Sequence, residues 1–150
     1  MLRHIFSISV AVQAAPRFVH GVLDDYRMER PRVLPPGADD YRLLEGGVGD
    51  GTVFGYRIRG LGRVRAVRAF VQEPEPGRVL VETEERGEVR TFTMVPAGVE
   101  GGTLLTLELS RRHSWRPSGT AHPRLRRAYA TQLVRLADFI EDRARELSAR

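Results

Sequence analysis

The sequence predicts an α+β fold in which a curved antiparallel sheet of seven strands packs against a long C-terminal helix. Between residues 41 and 111, short segments of alternating polarity are separated by glycine- and proline-rich turns, the pattern of successive hairpins. From Ala121 to Leu147, apolar residues recur every three or four positions, the pattern of an amphipathic helix. At 1.5 Å per residue this helix is about 40 Å long, enough to cross the whole sheet.

The first two elements are a strand and a short helix. Phe6, Ile8 and Val10 alternate with polar residues and predict a strand over Arg3–Val12. Pro16 lies where helices favour proline in their first turn, and the apolar spacing that follows predicts a helix to about Arg27. Prolines at 31, 35 and 36 then end it.

Six further strands follow, in the overall order β-α-β6-α. The glycine-rich turn 46–51 separates the first of them from the next and is predicted to bend the sheet. The predicted strands are Tyr41–Glu45, Thr52–Arg59, Arg63–Glu73, Arg78–Glu84, Glu88–Val95 and Thr103–Arg111. The apolar face of the last helix consists of Leu125, Tyr129, Leu133, Leu136, Ile140, Ala144 and Leu147.

Length and composition are typical of one domain over residues 1–150. The chain is 41% hydrophobic and 29% charged, which is ordinary for a globular protein. No run of 18 apolar residues occurs, so we expect a cytoplasmic protein without a membrane span. We expect it to be either a monomer or a homodimer. The absence of cysteine excludes disulfides, thiolate metal sites and cysteine nucleophiles.

The basic residues are unusual because all 24 of them are arginine. They are scattered along the chain and form no block of like charge, so the net charge of +5 does not favour nucleic acid as a partner. An arginine-rich surface that binds an acidic macromolecule remains an alternative function.

Turn lengths predict which side chains share a face of the sheet. A two-residue Arg86-Gly87 turn places Val81 opposite Phe92 and Thr83 opposite Arg90, and a Gly60-Leu61-Gly62 turn places Tyr56 opposite Ala66. The inner face then contains Phe6, Ile8, Val10, Phe54, Tyr56, Ile58, Val64, Ala66, Arg68, Phe70, Val79, Val81, Thr83, Arg90, Phe92, Met94, Leu105, Leu107 and Leu109.

Two of these inward residues, Arg68 and Arg90, are charged. A buried guanidinium requires a countercharge, water or an acidic ligand. The alternative is a slip of one residue or a bulge, which would place both arginines in solvent.

Motifs for metal or cofactor binding are absent from the sequence. His20 and Asp24, four apart on the first helix, are typical of a local hydrogen bond, and no histidine spacing predicts a metal site. The glycine turn lacks the pattern of a phosphate loop. Glu84-Glu85 is interpreted as a solvated hairpin tip. We therefore predict no metal and no cofactor.

Several segments together resemble the polyketide cyclase/dehydrase branch of the START-like superfamily. They are AAPRFVHGVLDDYRMER, GGVGDGTVFGYRIR, QEPEPGRVLVETE, TFTMVPAGVEGGTLLTLEL and the C-terminal helix, and they cover nearly the whole chain. The resemblance implies a helix-grip fold, in which the sheet wraps the C-terminal helix around an apolar cavity. Members of that family bind lipids, polyketides, hormones or quinones, and only some are enzymes. Two departures are the missing tryptophan near the first helix, where Phe18 and Tyr26 stand, and the lack of an evident inward base.

These observations predict a protein that binds a hydrophobic small molecule, such as a polyketide, fatty acid or quinone, in a cavity of several hundred Å³. Trp115, in the loop before the last helix, is expected to cap it, or else to anchor that loop. The alternative is an aromatase or cyclase in which Arg68 stabilises an enolate and Tyr56 donates a proton. The predicted ligand-binding residues are Phe54, Tyr56, Arg68, Phe70, Val81, Arg90, Phe92, Leu107, Trp115, Tyr129 and Leu133.

Overall fold

A computed structural model describes residues 2–60, 62–98, 100–112 and 121–149 and confirms the predicted α+β architecture. Trp115 and the rest of its loop lie outside the described residues. The elements are β1 (Leu2–Val12), α1 (Pro16–Leu23), a 3₁₀ turn (Arg30–Arg32), β2 (Ala38–Glu45), β3 (Val53–Gly60), β4 (Arg63–Glu75), β5 (Val79–Glu84), β6 (Glu88–Ala97), β7 (Gly102–Arg112) and α2 (Ala121–Ser148).

The sheet is antiparallel throughout and has the strand order β1-β7-β6-β5-β4-β3-β2. Strands β2 to β7 therefore form a continuous meander, and β1 pairs with β7 to complete the far edge. Neither helix, within the residues the structure describes, is long and apolar enough to cross a membrane.

Helix α2 buries the middle of its predicted apolar stripe against the sheet. Tyr129, Leu133, Leu136 and Ile140 are all buried, whereas Leu147 at the end of the stripe is 55% exposed. The helix thus covers the inner face of the sheet along most, but not all, of its length.

Helix α1 ends earlier than the apolar pattern predicted. Asp25 forms a β-bridge with Val48, and the amide of Tyr26 donates to the carbonyl oxygen of Gly47 at 2.9 Å. The residues after Leu23 therefore pair with the glycine turn between β2 and β3 instead of continuing the helix.

Two predicted hairpin registers are wrong by one residue. Three residues, 85–87, connect β5 to β6, so Glu82 faces Arg90 and Leu80 faces Phe92. The sequence prediction placed Thr83 opposite Arg90 and Val81 opposite Phe92 because it assumed a two-residue turn.

The β3–β4 hairpin slips in the same way. Gly60 pairs with Arg63, so Tyr56 faces Val67 and Phe54 faces Ala69. Because side chains alternate along a strand, the slip of one residue moves each side chain of β4 to the face opposite the predicted one. The residues it moves outward are Val64, Ala66, Arg68 and Phe70, and those it brings inward are Val67, Ala69 and Val71.

Candidate functional site

The inner face of the sheet carries a group of buried charges, which we call the ionic cluster: Arg30, Glu82, Glu84 and Arg90. Each of the four is at most 3% exposed. Alternation along β5 points both carboxylates inward, β6 supplies Arg90 beside them, and the 3₁₀ turn supplies Arg30. Two positive and two negative charges meet in the core, so the cluster is neutral overall.

Glu82 lies at the centre of the cluster. Arg30 donates to its two carboxylate oxygens from Nε and Nη2, both at 3.0 Å, and Arg90 Nε donates at 3.0 Å. The hydroxyl of Tyr26 donates to the same carboxylate at 2.7 Å. Burial alone would raise the pKa of Glu82, but the two arginines outweigh it and lower that pKa to about 2.

Arg90 joins Glu82 to a second set of groups. Its Nη1 donates to Glu84 Oε2 at 2.6 Å, and its Nη2 donates to the hydroxyl of Tyr56 at 3.1 Å. Tyr56 in turn donates to Glu84 Oε2 at 2.5 Å. Burial, assisted by the neighbouring carboxylates, raises the pKa of Tyr56 far above its usual value despite the opposing charge of Arg90.

One oxygen of Glu84 is left without a hydrogen bond. Glu84 Oε1 is buried and accepts no donor from the part of the chain that the structure describes. Arg65 is at its margin, with Nη2 4.0 Å from this oxygen and a half-exposed side chain. A buried carboxylate oxygen without a donor is costly, so this atom is available to a hydrogen-bond donor of a ligand.

The cluster reaches helix α2 through Tyr129. The hydroxyl of Tyr129 lies 3.5 Å from Arg90 Nη1 and donates to Glu88 at 2.7 Å, and Arg111 donates to the same Glu88 at 3.0 Å. Burial raises the pKa of Tyr129 well above its usual range, so its hydroxyl remains a donor at neutral pH.

A small cavity adjoins this polar group, between the sheet and α2. Its volume is about 20 Å³, enough for roughly one water molecule and far below the several hundred Å³ predicted. Its lining residues are Arg30, Val33, Leu34, Pro35, Arg90, Phe92, Leu107, Tyr129, Gln132, Leu133 and Leu136. Five predicted ligand-binding residues are among them: Arg90, Phe92, Leu107, Tyr129 and Leu133.

Two more predicted residues lie deeper in the core. Tyr56 belongs to the hydrogen-bond network of the ionic cluster, as described above. Phe54 stacks between aromatic neighbours, with ring centroids 5.1 Å from Tyr26, 5.7 Å from Tyr41 and 5.9 Å from Tyr56. Phe54 therefore supports the network and is not among the residues that line the small cavity.

Three predicted residues lie on the opposite face. Arg68 and Phe70 are on the exposed face of β4, with the Arg68 guanidinium 5.6 Å from the Phe70 ring centroid, and Val81 is on the outer face of β5. The inward placement of all three was wrong because it depended on the hairpin registers that slipped by one residue. Arg68 consequently cannot contact a ligand between the sheet and α2.

The sequence interpretation missed Arg30, Glu82 and Glu84. It treated Glu84 as part of a solvated hairpin tip, whereas Glu84 is 1% exposed. The available signal was the spacing of Leu80, Glu82 and Glu84, which share one face of a strand and place Glu82 opposite Arg90 once the turn contains three residues. Of the three alternatives expected for a buried Arg90, which were a countercharge, water and an acidic ligand, the structure shows countercharges, from Glu82 and Glu84.

No protein-family model matches the chain, and no curated protein matches it in sequence. Solved structures do match. The KanY protein, determined by NMR in solution, is 27% identical with a TM-score of 0.77, over 94% of this chain and 99% of that one. A START superfamily protein from Mycobacterium smegmatis is 19% identical with a TM-score of 0.65, over 96% and 99% of the two chains.

A plant protein has the same fold. The major latex-like protein 151 of Panax ginseng is 12% identical with a TM-score of 0.65, over 95% of this chain and 97% of that one. The helix-grip fold that the sequence resemblance implied is thereby confirmed for this chain.

Proposed function

We propose that this protein binds a small hydrophobic molecule between the sheet and α2. The observation that carries the proposal is the composition of the 20 Å³ cavity. Phe92, Leu107 and Leu133 form apolar walls, while the Arg90 guanidinium and the Tyr129 hydroxyl place polar groups at one end. Apolar walls with a few convergent polar groups are typical of ligand sites. The START-like fold supports the same function.

The polar end favours a neutral acceptor over an anion. Arg90 already faces Glu82 and Glu84, and Glu88 lies 3.6 Å from its Nη1. A ligand carboxylate would add another negative charge beside Arg90, whose positive charge these glutamates already balance. We therefore propose a ligand with a carbonyl, quinone or hydroxyl oxygen on an apolar body.

Binding requires the cavity to enlarge, because even benzene occupies an engineered cavity of about 150 Å³. Val33, Leu34 and Pro35 form one wall and belong to the connection between the 3₁₀ turn and β2, not to the sheet. Their displacement would leave the strand pairing intact. Glu29, just before this connection, is held to α2 by Arg143 at 2.6 and 2.8 Å, and this ion pair would limit the opening.

Nile red, a neutral dye with a carbonyl group, provides a test. Leu133→Trp fills the cavity and is expected to weaken dye binding by about tenfold or more, which corresponds to 1.4 kcal/mol. Leu133→Ala enlarges the cavity and is expected to strengthen binding. Val134→Trp is the matched control, because Val134 is the next residue of α2 and is 51% exposed.

Circular dichroism and thermal unfolding establish that each variant is folded. Equal dye affinity in all folded variants would contradict binding at this place. Mass spectrometry of molecules released from the purified protein then identifies the natural ligand class.

A second candidate function is enolisation of a bound ketone, the first step of a cyclase-like reaction, and the unpartnered Glu84 oxygen favours it. Glu84 and Tyr56 do not line the 20 Å³ cavity, so this reaction requires the cavity to enlarge past Arg90. Glu84 would then remove a proton next to the carbonyl, while Tyr56 and Arg90 would stabilise the developing oxyanion. This replaces Arg68 of the sequence-based hypothesis by Arg90, since Arg68 lies outside.

The test is exchange of the α-protons of 1-tetralone in deuterated water, followed by NMR. Glu84→Gln is expected to reduce protein-catalysed exchange by about a hundredfold or more, and Arg68→Ala, on the outer face, is the control. If the wild-type protein does not accelerate exchange, acid–base catalysis of this kind is excluded while ligand binding is unaffected.

A further inference from the structure

A separate cluster of titratable groups lies where α1 meets β4. His20 Nε2 is 2.9 Å from Glu73 Oε1, and His20 Nδ1 is 3.7 Å from Asp24 Oδ2. One donor atom from each of the three residues lies within 4.8 Å of the other two. Their side chains are only 18%, 15% and 12% exposed for His20, Asp24 and Glu73. Unlike most surface carboxylates, these groups are largely withdrawn from water.

The glycine turn between β2 and β3 closes over this cluster. A Cβ on Gly49 would lie 3.0 Å from Glu73 Oε1 and 3.8 Å from Asp24 Oδ2, and its φ of +60° also favours glycine. The Gly49 amide donates to the carbonyl of Asp24 at 3.0 Å, and Asp50 Oδ1 accepts from the amide of Glu73 at 3.1 Å. The turn thus holds the backbone of both Asp24 and Glu73 in place, a role beyond the bending of the sheet.

The charge at this place is opposite to that of the whole chain. Within the described residues, no arginine lies at ion-pair distance from Asp24 or Glu73, although the chain has 24 arginines and a net charge of +5. Glu29, Glu82 and Glu88 each have an arginine partner. Two largely buried carboxylates therefore lie here with no arginine partner among the described residues.

We propose that His20, Asp24 and Glu73 bind a divalent first-row transition-metal ion such as Zn²⁺. One imidazole nitrogen and two carboxylate oxygens suit such an ion, whereas Mg²⁺ and Ca²⁺ prefer oxygen ligands alone. The 2.9 Å between His20 Nε2 and Glu73 Oε1 is close to the separation of two donors that each lie about 2.1 Å from a shared ion. Metal binding would replace the hydrogen bond between His20 and Glu73.

The site joins an element near the start of the chain to a strand in the middle of the sheet. Three protein ligands leave coordination positions for water, as in open zinc sites. The spacing of His20 and Asp24 on one helix predicted only a local hydrogen bond, because the third ligand comes from a residue 53 positions away.

Cobalt titration of the full-length protein tests this proposal, because Co²⁺ bound by nitrogen and oxygen ligands has visible d–d absorption and the chain has no cysteine. We expect one Co²⁺ per chain, displaced by Zn²⁺ but not by Mg²⁺. Glu73→Gln and His20→Ala are each expected to weaken binding by about tenfold or more. His4→Ala is the matched control, since His4 forms an exposed pair with Glu108 at 3.7 Å.

Glu73→Gln keeps the shape of the side chain and decides the matter if His20→Ala fails to fold. The thermal unfolding temperature is expected to rise with Zn²⁺ in the wild-type protein and in His4→Ala, and to stay constant in Glu73→Gln. Absence of a saturable cobalt signal in the wild-type protein, or a signal that Glu73→Gln leaves unchanged, overturns the proposal.

Discussion

Glu82 is the residue on which the charge balance of the core depends. It accepts hydrogen bonds from Arg30, Arg90 and Tyr26 while being 0% exposed. Removal of one partner from a buried ion pair leaves an uncompensated charge, which typically costs about 3–5 kcal/mol. Glu84 cannot replace Glu82 as the partner of Arg30, because Glu84 already pairs with Arg90 and Tyr56.

The pKa of Glu82 makes this dependence measurable through pH. Since the folded-state pKa of about 2 lies below the ordinary glutamate pKa of 4.5, the stabilisation is present above pH 4.5 and is lost as the pH falls through 2. The difference corresponds to about 3 kcal/mol. Urea unfolding of the wild-type protein is expected to show this loss between pH 4.5 and 2.

Glu82→Gln should be less stable at neutral pH, and its stability should change less than that of the wild type over the same acidic range. The difference between the two curves isolates Glu82 from the other carboxylates. Parallel curves would show that Glu82 is not ionised in the folded protein.

The bounds of the helices and strands could be predicted from the sequence to different degrees. Helix α2 was predicted almost to the residue because 3.6-residue periodicity over 28 residues has few alternative explanations. The strands were likewise predicted within a few residues, since glycine and proline mark their ends. Helix α1 was predicted too long because its end is set by a tertiary bridge between Asp25 and Val48, which no local pattern reveals.

The lengths of two hairpin turns were the least predictable feature of the fold, and they determine which side chains form the candidate site. The choice between two and three residues at 85–87 changes no strand boundary by more than a residue, yet it decides whether Thr83 or Glu82 lies in the core. Charge complementarity with Arg90 would have favoured the correct register. The prediction of Arg68 as a site residue failed for the same reason, through the β3–β4 turn.

At the scale of the whole molecule, the ionic cluster connects distant parts of the chain. Arg90 on β6 contacts β3 through Tyr56, β5 through Glu82 and α2 through Tyr129. Tyr26 and Arg30 add the segment between α1 and β2. Because these elements share one network, we expect them to unfold together rather than in separate steps.

The four tyrosines of the chain offer a test of that cooperativity. Burial, the largest effect in each case, raises the pKa of Tyr26, Tyr41, Tyr56 and Tyr129 above the ordinary tyrosine pKa of 10.0, and that of Tyr41 to about 12. A folded pKa above the unfolded one contributes stability that is fully present below pH 10 and is lost as the pH rises through the folded pKa. The native protein is therefore expected to form little tyrosinate near pH 10.

At higher pH, the tyrosinate absorbance of Tyr26, Tyr56 and Tyr129 and the loss of far-ultraviolet circular dichroism should follow a single transition, whereas the chain in urea should titrate near pH 10. Tyr41 is only partly buried and is expected to ionise earlier. Its hydroxyl donates to the carbonyl of Tyr26 at 2.5 Å, and Tyr41→Phe should remove the earliest part of the absorbance change without shifting the main transition. Stepwise tyrosinate formation in the Tyr41→Phe variant, with the circular dichroism intact, would mean that the network does not couple these elements.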